Sequence, residues 1–244
     1  MHSDPVDPRA RFSDRASAYA AARPGYPDAV AVALARELGL PADAVVVDLG
    51  SGTGLSCEPF LRAGLAVVGV EPNAAMRTEG ERHLAEYPAF RSVPGQAEAT
   101  GLPAASCQLV IAAQAFHWFD IAAARREALR ILEPPPRAAL IWNDRRVTGS
   151  AFAEGYERLL QEFGTDYNEV RHRHAHPESV SAFFGDRNWR LAVFTNPTEL
   201  DFDTLAARVN SASYMPGPGA PAHAAMMARV RELFDSTQRA GRVV

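Results

Sequence analysis

A glycine-rich loop that directly follows a run of apolar, β-branched residues is the feature that most constrains how this chain folds. Residues 45–56 read VVVDLGSGTGLS, in which three glycines stand at alternate positions after the acidic residue Asp48. Glycine lets the backbone turn sharply and lets a ligand come close, because no Cβ stands in the way. The segment therefore predicts a buried strand, a nucleoside-binding turn and a helix.

Short β-branched segments alternate with longer helical patterns in the first part of the chain, which is typical of βαβ units around a parallel sheet. The predicted strands are residues 44–49, 65–70, 89–93, 107–113 and 138–142. The predicted helices between them are residues 27–39, 54–63, 73–86 and 120–132. The alternation then stops, with helices predicted at residues 150–164, 176–184 and 219–236 and a strand or hairpin arm at residues 189–202.

Length and charge limit the classes of protein to which the chain can belong. A chain of 244 residues that is 47% hydrophobic can build one large core. Its net charge of -4 disfavours nucleic acid as an obligate partner. The start lacks a secretory signal, and no run approaches about 20 apolar residues, so we expect a cytoplasmic protein with no membrane partner. Cys57 and Cys107 lie in apolar segments and are expected to be buried, reduced thiols.

The residues around the loop discriminate between two classes of nucleotide cofactor. A dinucleotide fingerprint would need glycine or alanine at position 55, which is Leu55 here. Asp48 would repel a pyrophosphate and suits a cofactor that has an ammonium group and no phosphates. Glu71, at the end of the next strand, can accept hydrogen bonds from a ribose of either cofactor. Glu98, just after the third strand, is within reach of an adenine amino group, which favours S-adenosylmethionine.

Four motifs, in this order and spacing, resemble the class I S-adenosylmethionine-dependent methyltransferases of the small-molecule type: VVDLGSGTG, VGVEPNAAM, GQAEATGLP and AAQAFHWFD. Within that family the chain is similar to the branch near trans-aconitate methyltransferase and the quinone methyltransferases. FSDRASAYAAARPGYP, residues 12–27, and ASYMPGPG resemble further segments of that branch. The resemblance implies a Rossmann-like, doubly wound α/β fold, with a mostly parallel sheet on a seven-stranded plan and a helical cap.

The resemblance also implies how one domain, residues 1–244, is organised. Its expected parts are N-terminal cap helices in residues 1–40, a cofactor-binding core in residues 41–142, a helical insertion or cap in residues 143–188 and the C-terminal part of the core in residues 189–244. Two segments depart from the family's pattern. The turn before the fifth strand, usually of a Pro-Gly-Gly type, is EPPPRAAL here, and the chain ends at GRVV, where the family would complete a last antiparallel strand, so that strand is expected to be incomplete.

The resemblance further implies which residues hold S-adenosylmethionine. Asp48, Gly50 and Gly52 would hold the methionine end, Glu71 the ribose, and Ala97 with Glu98 the adenine. Neighbours of these motifs and the N-terminal cap complete the expected cofactor-binding set: Ser51, Gly54, Pro72, Gln114, Tyr19 and Arg23. Arg23 is expected to pair with a carboxylate of the cofactor or of the substrate.

The expected reaction is methyl transfer to oxygen, nitrogen or carbon of a small organic acceptor by direct displacement, in which alignment can supply most of the catalysis. His117 is the candidate general base or substrate-orienting donor; alternatively, it caps the following helix or fills a hydrogen bond beside Trp118. Trp118, Tyr26 and Arg145 are the candidate acceptor-binding residues. Of the three aromatic residues at positions 116, 118 and 119, at least two are expected in the core.

Other hypotheses stay open. A nicotinamide-dependent oxidoreductase is opposed by Leu55 and Asp48, whereas the sequence barely bears on a non-catalytic protein that binds S-adenosylmethionine or S-adenosylhomocysteine. In RHRHAHP, His172, His174 and His176 alternate, but no cysteine or clear acidic ligand completes a set, so no metal is expected. Nucleic-acid methylation is disfavoured. The segment AAQAFHWF after the fourth strand lacks the Asn/Asp-Pro-Pro-aromatic motif of adenine methylation, and serine rather than the proline of cytosine C5 methylation precedes each cysteine. The oligomeric state is not predicted.

Overall fold

The computed structural model describes residues 23–165, 167, 177–185, 189–212 and 214–244. The described chain forms two compact units. The first takes in residues 25–143 and the described part of residues 175–196. The second takes in residues 23–24 and the described parts of residues 144–174 and 197–244.

A five-stranded parallel sheet forms the centre of the first unit. Its strands are β1 (Val45–Leu49), β2 (Ala66–Val70), β3 (Phe90–Val93), β4 (Leu109–Ala113) and β5 (Ala138–Ile141). They lie in the order β3-β2-β1-β4-β5, and all neighbours run parallel. The order reverses between β1 and β4, and ligands of open α/β sheets bind beyond the carboxyl ends of the strands at such a point.

Eight α-helices lie in the described ranges, one before β1 and the others between or after the strands. They are α1 (Asp28–Leu38), α2 (Glu58–Arg62), α3 (Ala74–His83), α4 (Ile121–Ile131), α5 (Ala151–Phe163), α6 (Pro177–Phe184), α7 (Phe202–Ser211) and α8 (His223–Thr237). Polar side chains fix several starts: Asn73 accepts from the Met76 amide at 3.1 Å, and Asp120 accepts from the Ala123 amide at 2.9 Å. These caps satisfy backbone donors that a helix start otherwise leaves without partners.

Both faces of the sheet are apolar, because alternate side chains of each strand point to opposite faces and both faces carry helices. On one face, Val47, Val68 and Val110 join a cluster with residues of α4 and α6. On the other face, Val46 and Val67 join a cluster with residues of α1 and α2. The strands are therefore held between two cores, with only their ends available to a ligand.

The second unit is helical. Helix α8 packs against α5 and α7, and their shared core includes Tyr156, Leu205 and Met226. Leu200 and Val243 exchange two backbone hydrogen bonds, of 2.8 and 2.9 Å, in an isolated antiparallel bridge. None of the helices in either unit, over the described ranges, is long and apolar enough to cross a membrane.

The α/β class and the five strands of the first part of the chain are confirmed, but the seven-stranded plan is wrong for the described residues, which form five strands. The strand or hairpin arm predicted at residues 189–202 is also absent there. Leu191 and Val193 are 81% and 85% exposed, and only Leu200 pairs. An alternating apolar pattern makes a strand only where a neighbouring strand completes its hydrogen bonds. The same region instead contains the start of α7, which the sequence analysis missed and which Asp201 caps.

Two smaller expectations concern single segments. Cys57 and Cys107 are both free and buried, as predicted. In the proline-rich turn before β5, the peptide bond between Pro134 and Pro135 is cis.

Candidate cofactor site

The glycine loop follows the carboxyl end of β1, and its glycines adopt a left-handed backbone conformation. Gly50, Gly52 and Gly54 have φ angles of 71°, 55° and 82°, which side chains with a Cβ rarely adopt. A Cβ at position 50 would lie 2.5 Å from the Cβ of Ala115, so this position also has no space for a side chain. The Gly50 amide donates to the Val70 carbonyl at 2.8 Å, which fastens the loop to the end of β2.

Asp48 lies directly beneath this loop and is fully buried. Its Oδ2 accepts hydrogen bonds from Ser56 Oγ at 2.5 Å and from Cys57 Sγ at 3.3 Å. Its Oδ1 has no hydrogen-bond partner among the described residues. Burial raises the pKa of Asp48 to about 7, although the Ser56 and Cys57 hydrogen bonds oppose the shift. A buried carboxylate oxygen without a donor is costly, and a cationic ligand would satisfy it.

Glu71, the residue after β2, faces the loop. Its Oε2 accepts from the Gly52 amide at 3.0 Å, and its Oε1 accepts from the Asn73 amide at 2.9 Å. Burial raises the pKa of Glu71, and these two backbone hydrogen bonds oppose the increase. Each carboxylate oxygen has a second lone-pair direction, so this orientation leaves acceptors for two vicinal hydroxyls.

The remaining residues of the expected loop set lie around these two carboxylates. Ser51 is buried, and its amide donates to the Val70 carbonyl at 3.2 Å. Pro72 is exposed, and its carbonyl, like that of Glu71, accepts from Arg77 Nη1. Both residues therefore belong to the backbone frame that joins the ends of β1 and β2.

The segment after β3 brings a third carboxylate to this end of the sheet. Ala97 is buried in a tight turn in which Gln96 and Ala99 exchange backbone hydrogen bonds of 3.2 and 3.0 Å. Glu98 is half-buried, and its Oε1 accepts from the Asp120 amide at 2.8 Å, just before α4. This contact fixes the Glu98 side chain at one oxygen and leaves Oε2 with the geometry of an acceptor.

The segment after β4 carries the candidate base. His117 is half-buried, and its ring lies 4.7 Å from that of Trp118. The helix-capping alternative for His117 is wrong, because Asp120 caps α4. Phe116 is 1% exposed and packs edge-on against Phe119, whereas Trp118 is 40% exposed. Two of the three aromatic residues therefore belong to the core, and Trp118 is the one with a free face.

A set of amide side chains gathers beyond β4 and β5. Gln114 was expected at the cofactor site from the sequence, whereas Asn143 and Asn196 were not. Gln114 has a φ of 59°, which is rare outside glycine, and its Nε2 donates to the Asn143 carbonyl at 3.1 Å. Asn143 and Asn196 both donate to the Gly25 carbonyl, at 3.1 and 2.8 Å. Asn196 also donates to Asn143 Oδ1 at 3.0 Å. These bonds hold the segment that carries Tyr26, and they join residues too far apart in the sequence for any local pattern to reveal them.

Two expected site residues belong to the second unit. Arg145 donates to Glu157, with which it forms an ion pair, and to Tyr167 Oη at 3.0 Å. Arg23 is exposed. Tyr19 and the three alternating histidines, at positions 172, 174 and 176, lie outside the described residues. In the part of the chain that is described, no three His, Cys, Asp or Glu side chains are arranged to hold a metal ion.

A cavity of about 310 Å³ lies at the other end of the sheet. Its lining includes Val45 and Ala66, the first residues of β1 and β2, together with Arg91 and Leu102. The walls are mostly apolar, and none of the expected cofactor-binding residues contributes to them. The expected cofactor-binding residues lie instead at the carboxyl ends of the strands.

These groups fit S-adenosylmethionine. The buried Asp48 Oδ1 suits an ammonium group, the Glu71 carboxylate suits the ribose hydroxyls, and a loop with glycine at three alternate positions suits close approach of the methionine end. The same arrangement does not suit a pyrophosphate, which the carboxylates would repel.

Comparisons with known proteins agree with this chemistry. Residues 47–139 match the family model of a methyltransferase domain, type 11. An uncharacterized methyltransferase of Mycobacterium tuberculosis is 37% identical over 171 residues, which is 68% of this chain and 64% of that relative. The chain thus spans just under two thirds of that curated relative.

Two solved structures are similar as well. A putative type II methyltransferase from Anaeromyxobacter dehalogenans is 26% identical, with a TM-score of 0.57, over 90% of this chain and 93% of that one. A putative S-adenosyl-L-methionine-dependent methyltransferase from Methanococcus maripaludis is 14% identical, with a TM-score of 0.56, over 80% of this chain and 93% of that one. The second likeness concerns the fold alone.

Proposed function

The chain belongs to the class I S-adenosylmethionine-dependent methyltransferases, type 11 branch, whose family model matches residues 47–139. From that premise we propose that it transfers a methyl group to a small organic acceptor. The methylated atom is an oxygen, nitrogen or carbon of the acceptor, which attacks the methyl group directly. Residues of the first unit hold the cofactor.

The observation that carries this proposal is the presence of three carboxylates at the carboxyl ends of β1, β2 and β3, two of which contact the glycine loop. Asp48 is the penultimate residue of β1, Glu71 follows β2, and Glu98 lies in the segment after β3. Glu71 is fastened to the loop itself through the Gly52 amide. The set offers an acceptor for an ammonium group, for ribose hydroxyls and for an adenine amino group, and it offers no cation for a phosphate in the described loop.

S-adenosylmethionine, when bound, supplies a methyl group on a sulfonium that leaves as a neutral thioether. The residues of this chain bind and orient the reactants. Asp48 holds the ammonium end, and Glu71 fixes the ribose, so that the reacting carbon has one position relative to the sheet. His117, half-buried beyond β4, accepts a proton from an acceptor hydroxyl or amine; an acceptor that is already an anion needs no such base.

The test of the cofactor assignment is calorimetric titration with S-adenosylhomocysteine of the unaltered protein and of Glu71→Gln. The amide would turn one donor toward the loop amides and would lose an acceptor for the ribose. We expect affinity to fall by about tenfold or more, the equivalent of one charge-assisted hydrogen bond. Glu81→Gln, at an exposed position of α3, is the matched control and should bind as the unaltered protein does. Equal binding by both variants would contradict the ribose role of Glu71.

The test of catalysis is methyl transfer from labelled S-adenosylmethionine to a panel of small acids, phenols and amines. Turnover of any acceptor supports the proposal. The pH dependence of that turnover, compared between the unaltered protein and His117→Gln, tests whether His117 is the base. Binding of S-adenosylhomocysteine without turnover across the panel would instead favour a non-catalytic binding protein.

A further inference from the structure

The cavity of about 310 Å³ at the amino ends of β1 and β2 lies under a connection that contains no helix. Parallel strands are usually joined by a helix, which covers one face of the sheet. Residues 94–108 instead cross from β3 to β4 without one. Helices α4 and α6 pack on the same face of the sheet. They leave the cavity open above the first residues of β1 and β2.

The register of the strands puts the side chains that form the floor of the cavity on one face. Val45 pairs with Ala66 where β1 and β2 begin. Two residues further along, Val47 pairs with Val68, and Val68 also pairs with Arg91 of β3. Residues two apart in a strand share a face, so Arg91 belongs to the same surface as these apolar side chains. Among the described residues that line the cavity, Arg91 alone is charged.

The opposite wall is the connection from β3 to β4, and α4 holds it in place. Arg130 of α4 donates to the Leu102 carbonyl at 2.7 Å, and the Ser106 amide donates to the Ile131 carbonyl at 2.8 Å. Ser106 Oγ also donates to the Pro103 carbonyl at 2.8 Å. A wall fastened at both ends resists collapse onto the sheet. The atoms that line the space therefore lack packing contacts, which a ligand can supply.

Arg91 gives this space an electrostatic preference. Its side chain is exposed, and its guanidinium has no hydrogen-bond or ion-pair partner in the part of the chain that the structure describes. A carboxylate is the group that a guanidinium fork binds best among organic anions of this size. The described lining includes no Asp or Glu that would repel such an anion.

The volume and the walls set the rest of the ligand. An apolar cavity of about 150 Å³ can hold a benzene molecule. The space here is about twice as large, and its floor consists of valine and alanine side chains. It suits an apolar tail. A ligand with a tail alone would leave Arg91 without a counter-charge, and a small polar anion would leave the floor without contacts.

We propose that this cavity binds a small amphipathic carboxylate, with the apolar tail against β1 and β2 and the carboxylate on Arg91. The site lies at the opposite end of the strands from Asp48 and Glu71. A ligand here does not compete with the methionine end or the ribose of the cofactor. The proposal adds a second binding site to the molecule and does not depend on methyl transfer.

The experiment is calorimetric titration of the full chain with sodium octanoate at neutral pH, compared with butyrate and with 1-octanol. Butyrate has the same charge and a shorter tail, and each methylene group removed from the cavity should weaken binding about fourfold. 1-Octanol has the same tail length without the charge and should bind more weakly than octanoate. Absence of octanoate binding, whether or not a second copy of the chain covers this face, would overturn the proposal, as would equal affinity for octanoate and butyrate.

Arg91→Gln tests the carboxylate contact. It should weaken octanoate binding by about threefold, since water screens an ion pair at an exposed side chain, and it should leave 1-octanol binding unchanged. Arg126→Gln is the matched control, because Arg126 is exposed on α4 and does not line the cavity. An Arg91→Gln protein that binds octanoate as the unaltered protein does would overturn the proposal.

Ala66→Leu tests the location of the tail. The larger side chain occupies part of the cavity, so it should weaken binding of both octanoate and 1-octanol. It should not lower the melting temperature, because it fills empty space rather than a packed core. A lower melting temperature, or unchanged octanoate affinity, would overturn the proposal. Affinity for S-adenosylhomocysteine should stay the same in this variant, so the result is separate from the cofactor assignment.

Discussion

Asp48 is a buried carboxyl group that the proposed function assigns to the ammonium group of the cofactor. Its carboxyl is buried with one oxygen lacking a partner among the described residues, and burial raises its pKa to about 7 from an ordinary value of 3.8. The folded protein therefore retains a proton that the unfolded chain releases. The free energy of unfolding falls as pH rises from 3.8 to about 7, because the carboxyl must ionise within the core.

This balance predicts a pH-dependent affinity. An ammonium group favours the ionised Asp48, so binding of S-adenosylhomocysteine should release a proton below pH 7. We expect affinity about tenfold weaker at pH 6 than at pH 8, as one proton lost across the pKa requires. Calorimetry in two buffers of different ionisation enthalpy measures the released proton directly. Asp48→Asn should bind weakly and without this pH dependence; an unaltered protein with the same affinity at both pH values would contradict the role of Asp48.

Gly50 makes a second prediction at this scale. Gly50→Ala must adopt a φ of 71° and also place its Cβ 2.5 Å from that of Ala115. Gly64, with a φ of 84°, has open space around its Cβ position and is the matched control. Both substitutions pay the cost of left-handed backbone, and overpacking should cost Gly50→Ala about 1–3 kcal/mol more. Urea titrations of the two variants measure the difference, and equal free energies of unfolding would show that the loop has room for a side chain.

The carboxylates at the strand ends were predictable from the sequence. Asp48 and Glu71 lie at or just after the end of an apolar, β-branched run, where a charged residue indicates a functional role. The amide side chains that bind the Gly25 carbonyl were not predictable from the sequence. Asn143 and Asn196 meet Gly25 only after the sheet has formed, and no short-range pattern indicates such contacts.

At the scale of elements, the segment that connects β3 to β4 contains no helix and is hydrogen-bonded to α4. Glu127 Oε1 accepts from the Thr100 amide at 2.9 Å and from Thr100 Oγ1 at 2.5 Å, and Arg130 pairs with it at 2.7 Å. Arg130 also donates to the Leu102 carbonyl at 2.7 Å. This network lowers the pKa of Glu127 to about 2, with the Arg130 hydrogen bond as the largest cause.

The network predicts how stability responds to acid. A depressed pKa stabilises the fold above the ordinary value of 4.5 and loses that effect as pH falls toward 2. Glu127→Gln should lower the free energy of unfolding by about 1 kcal/mol at pH 7, a modest value because Arg130 is partly in water. The loss should shrink at pH 3. Glu86→Gln, at an exposed position, is the control, and a Glu127→Gln effect as large at pH 3 as at pH 7 would exclude this account.

The observed element boundaries match the predicted ones where the apolar periodicity of the sequence agrees with the packing in the fold. Helix α4 was predicted at residues 120–132 and runs over Ile121–Ile131, since Asp120 is a favourable cap and the apolar face repeats along the helix. Residues 189–199 failed as a strand because alternation of apolar and polar residues specifies a face but supplies no pairing partner.

For the whole molecule, the sequence indicated the α/β class, the strands of the first unit and the family, because four motifs lie in one order at the ends of successive strands. It did not indicate that the described chain forms two compact units, since that division depends on contacts between distant helices such as α5 and α8. The family model itself covers residues 47–139, within the first unit.

The measurement that tests the central claim most directly is calorimetric titration of the full chain with S-adenosylhomocysteine and, separately, with NADH. The position of Asp48, Glu71 and Glu98 at the carboxyl ends of neighbouring strands predicts one site for S-adenosylhomocysteine with a Kd in the micromolar range, about -8 kcal/mol, and no binding of NADH. Binding of NADH alone, or of neither compound, would contradict the assignment of these carboxylates to an S-adenosylmethionine site.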